Sequence, residues 1–285
     1  MKNLKHLILL LFITLLFVLT SCKGEKLETI KVCASDVPHA EILEGVVKDI
    51  LKEKGYNLEV TILDWQEQNA ATVAKDYDAN YFQHVPYLSI DESAKGLFAV
   101  VKVHYEPLGI YQGKEKELKN GKTFEICDDI SNGIRAFQLL FNSGVLDKDL
   151  ENENHNFPYT VDESNFTFNG STWTSSNGIK VTLIPEDTLV ASLKDYDFGL
   201  LPCNTALTGN ISSATRVYVE NDPNQVVVKA NVLAARKSDY NNNANYRAKI
   251  DALADALLSS EVSNYVKEKY NGIIICDKQT QINLR

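Results

Sequence analysis

Catalytic signatures are missing from this 285-residue chain: it holds no G-x-S-x-G nucleophile elbow, no P-loop and no H-E-x-x-H. His39, His84 and His104, with Asp64 and Asp129, are acid/base side chains with no motif around them, so a cell-surface enzyme stands only as an outlying reading. Cysteine is sparse. None of the five is in Cys-x-x-Cys spacing, which leaves a zinc centre without sequence support. Positive charge is also short, with 29 Lys and Arg against 38 Asp and Glu and a net charge of −9. Nucleic-acid partners are disfavoured, because they require a basic stripe that displaces counterions from phosphate. There is no internal repeat, and no cofactor is implied.

One long apolar run is present, and it sits at the start. Lys2 and Lys5 precede Leu7 to Leu19, and Leu19-Thr20-Ser21-Cys22 ends the run. A charged start, an apolar stretch too short to span and a small residue at the cut describe a secretory signal over residues 1–21. Cys22 turns the pattern into a lipobox, in which the thiol is acylated and becomes the new N-terminus, followed by a lipidated tether over residues 22–29. Each buried methylene adds ~0.8 kcal/mol, so two or three acyl chains (palmitate-like) hold a protein on a membrane far better than one. Removing residues 1–21 takes away two lysines and no acid, leaving a more acidic body.

Asp76 to Leu88 reads D-Y-D-A-N-Y-F-Q-H-V-P-Y-L. Its aromatic centre is strand-like, and Pro86 stops the ladder and opens a helix. At the tip of such a strand Phe82, His84 and Tyr87 would gather at the carboxyl end of a sheet, where open α/β folds bind ligands. Ordinary core aromatics and a surface histidine are the alternative. This run closely resembles the signature of the MetQ/NlpA family, the methionine-binding lipoproteins of ABC importers. Val37 to Glu44 resembles the same family's first strand-to-helix passage, and Leu63-Asp64-Trp65 the end of its second strand. The resemblance covers most of Ile30 to Gly272 and is poorest over Glu151 to Lys180.

Elsewhere strand and helix patterns alternate, which predicts parallel sheets with right-handed crossovers. Ala40 to Lys54 has helical spacing and ends at Gly55; Ser131 reads as the N-cap of a helix over Asn132 to Ser143; Gln225 to Ala235 reads as a long strand. Tyr105-Glu106-Pro107 and Asn221 to Asn224 look like crossings between domains. The expected fold is therefore α/β and two-lobed, like periplasmic binding proteins: residues 30–106 and 224–285 in lobe 1, 107–223 in lobe 2, the ligand cleft between them. Within lobe 2, residues 151–180 form an aromatic and polar insertion, expected to be a hairpin or a surface excursion.

The resemblance also implies site residues. Asn132 and Arg135 would face the cleft from lobe 2, Arg135 in a first helical turn where a guanidinium clamps a carboxylate bidentately. Asn204 and Asn231 would accept from a ligand ammonium, and Tyr105 would complete an aromatic wall with Phe82, His84 and Tyr87. No metal is implied. The function implied by the resemblance is that of a lipid-anchored receptor on the extracytoplasmic face of the cell membrane. It would bind methionine and deliver it to a permease with a cytoplasmic ATPase. Ile126-Cys127-Asp128 and Pro202-Cys203 depart from the family pattern, so another apolar amino acid or a short methionine-containing peptide stays open, and an adhesin role for the insertion could coexist. Cys33, Cys127, Cys203 and Cys276 could be disulfide-bonded or free; Cys127 and Cys203 are expected on neighbouring strand ends, within ~7 Å, where a bridge is geometrically possible.

Because the acyl chains would be the only apolar anchor after cleavage, Cys22→Ser should leave the protein unprocessed or release it into the soluble fraction. Membrane fractionation and gel mobility test this; a variant that behaves as the parent does would remove the lipoprotein reading.

Overall fold

The computed structural model describes residues 27–147, 165–221 and 223–285. Cys22, the signal, most of the tether and the part of the insertion holding Phe157 and Tyr159 lie outside the described residues. Two sheets organise the rest. Strands β1 (Glu28–Ala34), β2 (Tyr56–Ile62), β3 (Ala79–His84) and β4 (Leu97–His104) come from the first part of the chain. The chain then passes to a second sheet built of β5 (Gly109–Gln112), β6 (Thr123–Cys127), β7 (Phe166–Phe168), β8 (Thr172–Ser175), β9 (Lys180–Ile184), β10 (Phe198–Leu201) and β11 (Arg216–Val219). It returns for β12 (Asn231–Arg236) and β13 (Ile282–Asn283). The orders are β13-β4-β12-β3-β1-β2 and β11-β5-β10-β6-β9-β8-β7. The fold is α/β and two-lobed, with one chain crossing after β4 and another after β11.

Neither sheet is purely parallel. β1 runs parallel to β2 and β3, and β6 parallel to β9 and β10, but β12 is antiparallel to both β3 and β4. A strand returning from the other lobe enters from the opposite end, which reverses its direction. The long strand expected over Gln225 to Ala235 is also shorter. Pro223 opens a helix, Pro223–Val228, and pairing starts at Asn231; proline is preorganised for a first helical turn, and here it outweighs the β-preference of the valine run.

The helical passage expected over Ala40 to Lys54 follows an extended Val37 (φ −110°, ψ 132°), runs through a π-helical turn Leu43–Val47 into the α-helix Lys48–Glu53, and ends before Gly55 at φ +87°. That left-handed position is one glycine occupies at no steric cost. Ile42, Leu43, Val47 and Leu51 from this passage pack with Ile30, Val32 and Tyr81 of the sheet and with Leu253 and Leu257 of the helix Ala244–Leu257. A second core gathers Phe124, Phe198, Ile126 and Val181 under the helix Ile130–Asn142.

Two local features aim the strand tips. All of β3 is buried. Its polar residues Asn80 and Gln83 bond to Asn69 of the helix Trp65–Val73 at 2.7–3.0 Å, so polarity inside this strand is satisfied rather than exposed. The register against β12 jumps from Gln83↔Val232 to Tyr81↔Leu233, leaving Phe82 as the extra residue of a bulge, a device that re-aims side chains near binding sites. In the insertion, β7 and β8 form the expected hairpin and extend the second sheet through β9. Cys127 ends β6 and Cys203 follows β10, its hydrogen-bonded neighbour; both thiols are free, as are those of Cys33 and Cys276.

Phe137 is fully buried and meets Phe166 and Trp173 edge to face, so its ring packs the hairpin onto the lobe beside the β8–β9 pairing. Phe137→Ala should cost about 3–5 kcal/mol of stability, measured by urea denaturation, with a cavity left under the hairpin. A loss below ~1 kcal/mol would show that the hairpin does not depend on that ring.

Candidate functional site

The carboxyl ends of β3, β6 and β10 meet at a cleft of about 560 Å³, including its solvent-open part. Phe82, His84 and Tyr87 line it from lobe 1, with Asn231; Asn132, Arg135 and Asn204 line it from lobe 2. Sheet register explains part of this. Asn231 opens β12 directly between His84 of β3 and His104 of β4.

His84 ends β3 and caps the helix Val85–Ile90: its Nδ1 accepts from the Tyr87 N–H at 3.2 Å. Nδ1 is therefore unprotonated, and Nε2–H donates to Asn132 Oδ1 across the cleft at 3.3 Å. Burial, aided by the charge of Arg135, lowers the His84 pKa to about 4, so the ring is a neutral bridge between lobes. Asn132 is held in turn by Asp129, which accepts from its backbone N–H at 3.0 Å and its Nδ2 at 2.8 Å. Asp129, not Ser131, is the N-cap, and the helix starts at Ile130. Ser131 Oγ donates to the same carboxylate at 2.7 Å. Asp129 takes the cap because its carboxylate lies within reach of the free Asn132 N–H, where negative charge also suits the helix start.

The earlier helix start moves Arg135 to the second turn, away from the dipole end. Its guanidinium is buried and committed. Nε lies 2.8 and 3.0 Å from the Glu220 oxygens, and Nη2 donates to Glu220 at 2.5 Å and to the Glu106 carbonyl at 2.5 Å. The two donors needed for a bidentate clamp are thus occupied by an internal carboxylate, and Nη1 takes part in none of these bonds. Lys229 Nζ also donates to Glu220, at 2.6 Å. Burial would raise the Glu220 pKa, but the two cations outweigh it and hold it near 2. Tyr105 is not in the cleft wall. It is fully buried behind Arg135, whose guanidinium lies 5.5 Å from the ring centroid, and its hydroxyl donates to Glu220. A tyrosine at the crossing has a nearby buried carboxylate to satisfy its hydroxyl, and that fixes its direction.

Several cleft residues carry no signal of their own in the sequence. Glu106, at the first crossing, lines the cleft; it accepts from Asn231 Nδ2 at 3.0 Å, from His104 Nε2 at 2.7 Å and from the backbone N–H of Asn204 at 3.2 Å. Burial raises its pKa. Trp65 stands edge to face with Tyr87 at 5.5 Å and completes the aromatic side in place of Tyr105. Glu186 also lines the cleft, accepts from Thr205 Oγ1 at 2.7 Å, and is raised to about 7 by burial and by the neighbouring Asp129 charge. Only the Tyr-Glu-Pro interruption hints at Glu106. Chemically, the arrangement offers a guanidinium N–H on one lobe, a carboxylate with amide groups on the other, and aromatic faces between them. It fits a small zwitterion.

The profile of the NlpA lipoprotein family matches residues 30–276. The methionine-binding lipoprotein MetQ of Bacillus subtilis (strain 168) is 32% identical over 255 residues, which is 86% of this chain and 87% of that protein. A nutrient binding protein from Burkholderia cenocepacia, solved bound to methionine, superposes with a TM-score of 0.72 at 26% identity, covering 87% of this chain and 99% of that one. A pheromone cOB1 precursor/lipoprotein of the YaeC family from Enterococcus faecalis V583 superposes with a TM-score of 0.72 at 28% identity, covering 88% and 100%.

Glu220 ionises more readily folded than unfolded, its pKa falling from 4.5 to about 2, so the stability it contributes is complete above pH ~4.5 and is lost as pH falls through 2. That shift corresponds to about 3 kcal/mol. Glu220→Gln should remove this acid-sensitive component and cost about 3–5 kcal/mol at neutral pH, because two buried cations lose their counter-charge. Denaturant titrations of parent and variant between pH 2 and 7 measure both. Parallel stability curves would mean that the cluster contributes nothing.

Proposed function

The chain belongs to the NlpA lipoprotein family, and from that premise we propose that it is a lipid-anchored, substrate-binding receptor of an ABC importer. It takes methionine between its lobes on the extracytoplasmic face and hands it to a permease driven by a cytoplasmic ATPase. The observation that carries the reading is the opposition of Arg135 on one lobe to Glu106 and Asn231 on the other, at the rim of one aromatic cleft.

The ligand carboxylate meets Arg135 Nη1. Its ammonium meets Glu106, whose buried charge gains a partner, and the Asn231 Oδ1, since Nδ2 of that amide is already spent on Glu106; Asn204 stands beside them. The side chain enters among Phe82, Tyr87, Trp65 and the neutral His84. Sulfur against aromatic rings gains ~0.3–1.5 kcal/mol beyond burial, which favours a thioether over a branched chain of similar size. Among the described residues no helix is long and apolar enough to cross a membrane, so in this reading attachment rests on Cys22. The carboxylates of Asp129 and Glu186 in the lining favour a second reading, in which the preferred side chain carries a hydrogen-bond donor at its far end.

Calorimetry with methionine tests the assignment. Arg135→Ala should lose ~2–5 kcal/mol, a factor of tens to thousands, because the carboxylate is left desolvated and unpaired. Asn231→Ala, outside the Glu220 cluster, should fall between variant and parent. Equal affinity in Arg135→Ala would reject the site; a parent that ignores methionine but binds a donor-bearing amino acid would move the reading to the second ligand class. Ligand recovered chemically unchanged after prolonged incubation is the result expected of a receptor and not of an enzyme.

A further inference from the structure

Below the cleft floor, His39 presents an anomaly. It is fully buried, and neither Nδ1 nor Nε2 completes a hydrogen bond, although Nε2 faces the Glu106 carboxylate at 3.3 Å. Native interiors rarely leave ring nitrogens without one, because a buried donor or acceptor that makes no bond forfeits its hydration. Its ring stands edge to face against Tyr81 at 4.8 Å and His104 at 5.0 Å. That packing fixes the imidazole plane, and a phenylalanine would supply as much of it; the nitrogens are what packing does not explain.

Those nitrogens face other ligating atoms. His39 Nε2 is 3.3 Å from Glu106 Oε1, and His104 Nε2 is 2.7 Å from the same oxygen. The donor atoms of all three side chains lie within 4.8 Å of one another. Donors held ~2.0–2.2 Å from a tetrahedral ion are separated by roughly 3.3–3.6 Å, so small rotations bring this set into a coordination sphere. We infer that His39, His104 and Glu106 form a binding site for a divalent transition-metal ion beneath the ligand cleft.

The surroundings have the features such a site needs. His104 Nδ1 is 2.5 Å from the Tyr81 hydroxyl. When Nε2 turns its lone pair to the ion, the proton sits on Nδ1 and is accepted by the Tyr81 oxygen, the outer contact that orients a metal-bound imidazole. No proton is lost in that exchange of tautomers. Asn231 Nδ2 and the Asn204 N–H fix the Glu106 carboxylate. Burial keeps both imidazoles in the neutral form that ligates. Two imidazoles and one carboxylate suit zinc, cobalt or iron and not the all-oxygen shells of calcium or magnesium. Glu106 is the one residue shared with the methionine reading; His39 and His104 do not line the cleft.

The test uses the whole parent protein, stripped with chelator and titrated with Zn²⁺ by calorimetry, with Co²⁺ absorption reporting coordination geometry. One equivalent should bind, raise the melting temperature and be indifferent to Mg²⁺. His39→Ala and His104→Gln should each abolish that equivalent while still binding methionine, and Tyr81→Phe should weaken it about 10–100-fold. Cys127→Ser is the control, because Cys127 with Asp129 and Glu186 is a second cluster of potential ligands; it should leave the equivalent intact. A parent that takes up no Zn²⁺, or a His39→Ala and His104→Gln pair that take it up as the parent does, overturns the site. Loss of zinc with methionine binding retained separates this inference from the receptor reading. If a variant fails to fold, anomalous diffraction from zinc-soaked parent crystals decides: a peak between His39 and Glu106 supports the site, and a peak only at Cys127 refutes it.

Discussion

One buried carboxylate ties the two lobes together. Glu220, at the end of the second sheet, accepts from the Tyr105 hydroxyl, the Leu108 N–H, the Arg135 guanidinium and the Lys229 ammonium. Tyr105 and Leu108 lie on the outgoing crossing, Glu220 and Lys229 on the returning one, and Arg135 on the helix that faces the cleft. Burying such charges is costly, and their mutual attraction repays it when hydrogen bonds of good geometry accompany it, as the four donors on Glu220 do here. The crossings are therefore pinned side by side by electrostatics at the place where a two-lobed protein must bend.

The same cluster sets the character of the cleft. Because Glu220 already answers Arg135, the guanidinium is held in place by contacts within the protein, and Lys229 donates to the same carboxylate. On the facing lobe Glu106 plays the opposite part, its oxygens shared among Asn231, His104 and the Asn204 backbone. In the receptor reading, Arg135 and Glu106, held in place by these contacts, favour a zwitterion over either a simple anion or a simple cation at low reorganisation cost.

The fold is legible in the sequence because alternation and turn chemistry are local properties, and the D-A-N-Y-F-Q-H run locates the cleft through resemblance. What composition cannot reveal are contacts between distant parts of the chain. Glu220 precedes an Asn-Asp-Pro-Asn cluster and carries no motif of its own; only the fold places it against Arg135, 85 residues away. Tyr105 is expected in the cleft wall through the resemblance, but a hydroxyl beside a buried carboxylate turns inward. Arg135 reads as a first-turn residue because Ser131 is a good cap by type. Asp129, two residues earlier, is better placed to accept from Asn132, and nothing in the local sequence ranks the two. Trp65 lies in a segment that carries the resemblance but without a site role attached to it, and Glu186 gives no signal; tertiary placement brings both to the cleft.

The position of β12 has a consequence for how the chain is made. β12 lies in the interior of the first sheet, between β4 and β3, yet it is synthesised after the whole of the second lobe. Until residue 236 has emerged, β3 and β4 have no common neighbour, and Tyr81 and Val101 of the first core lack the Leu233 against which they are paired. The second lobe, continuous from β5 to β11, meets no such delay. Emergence from N- to C-terminus thus completes the inserted lobe first and closes the outer one last, leaving the aromatic tip of β3 open to solvent, and to any holding chaperone, for most of the chain's passage.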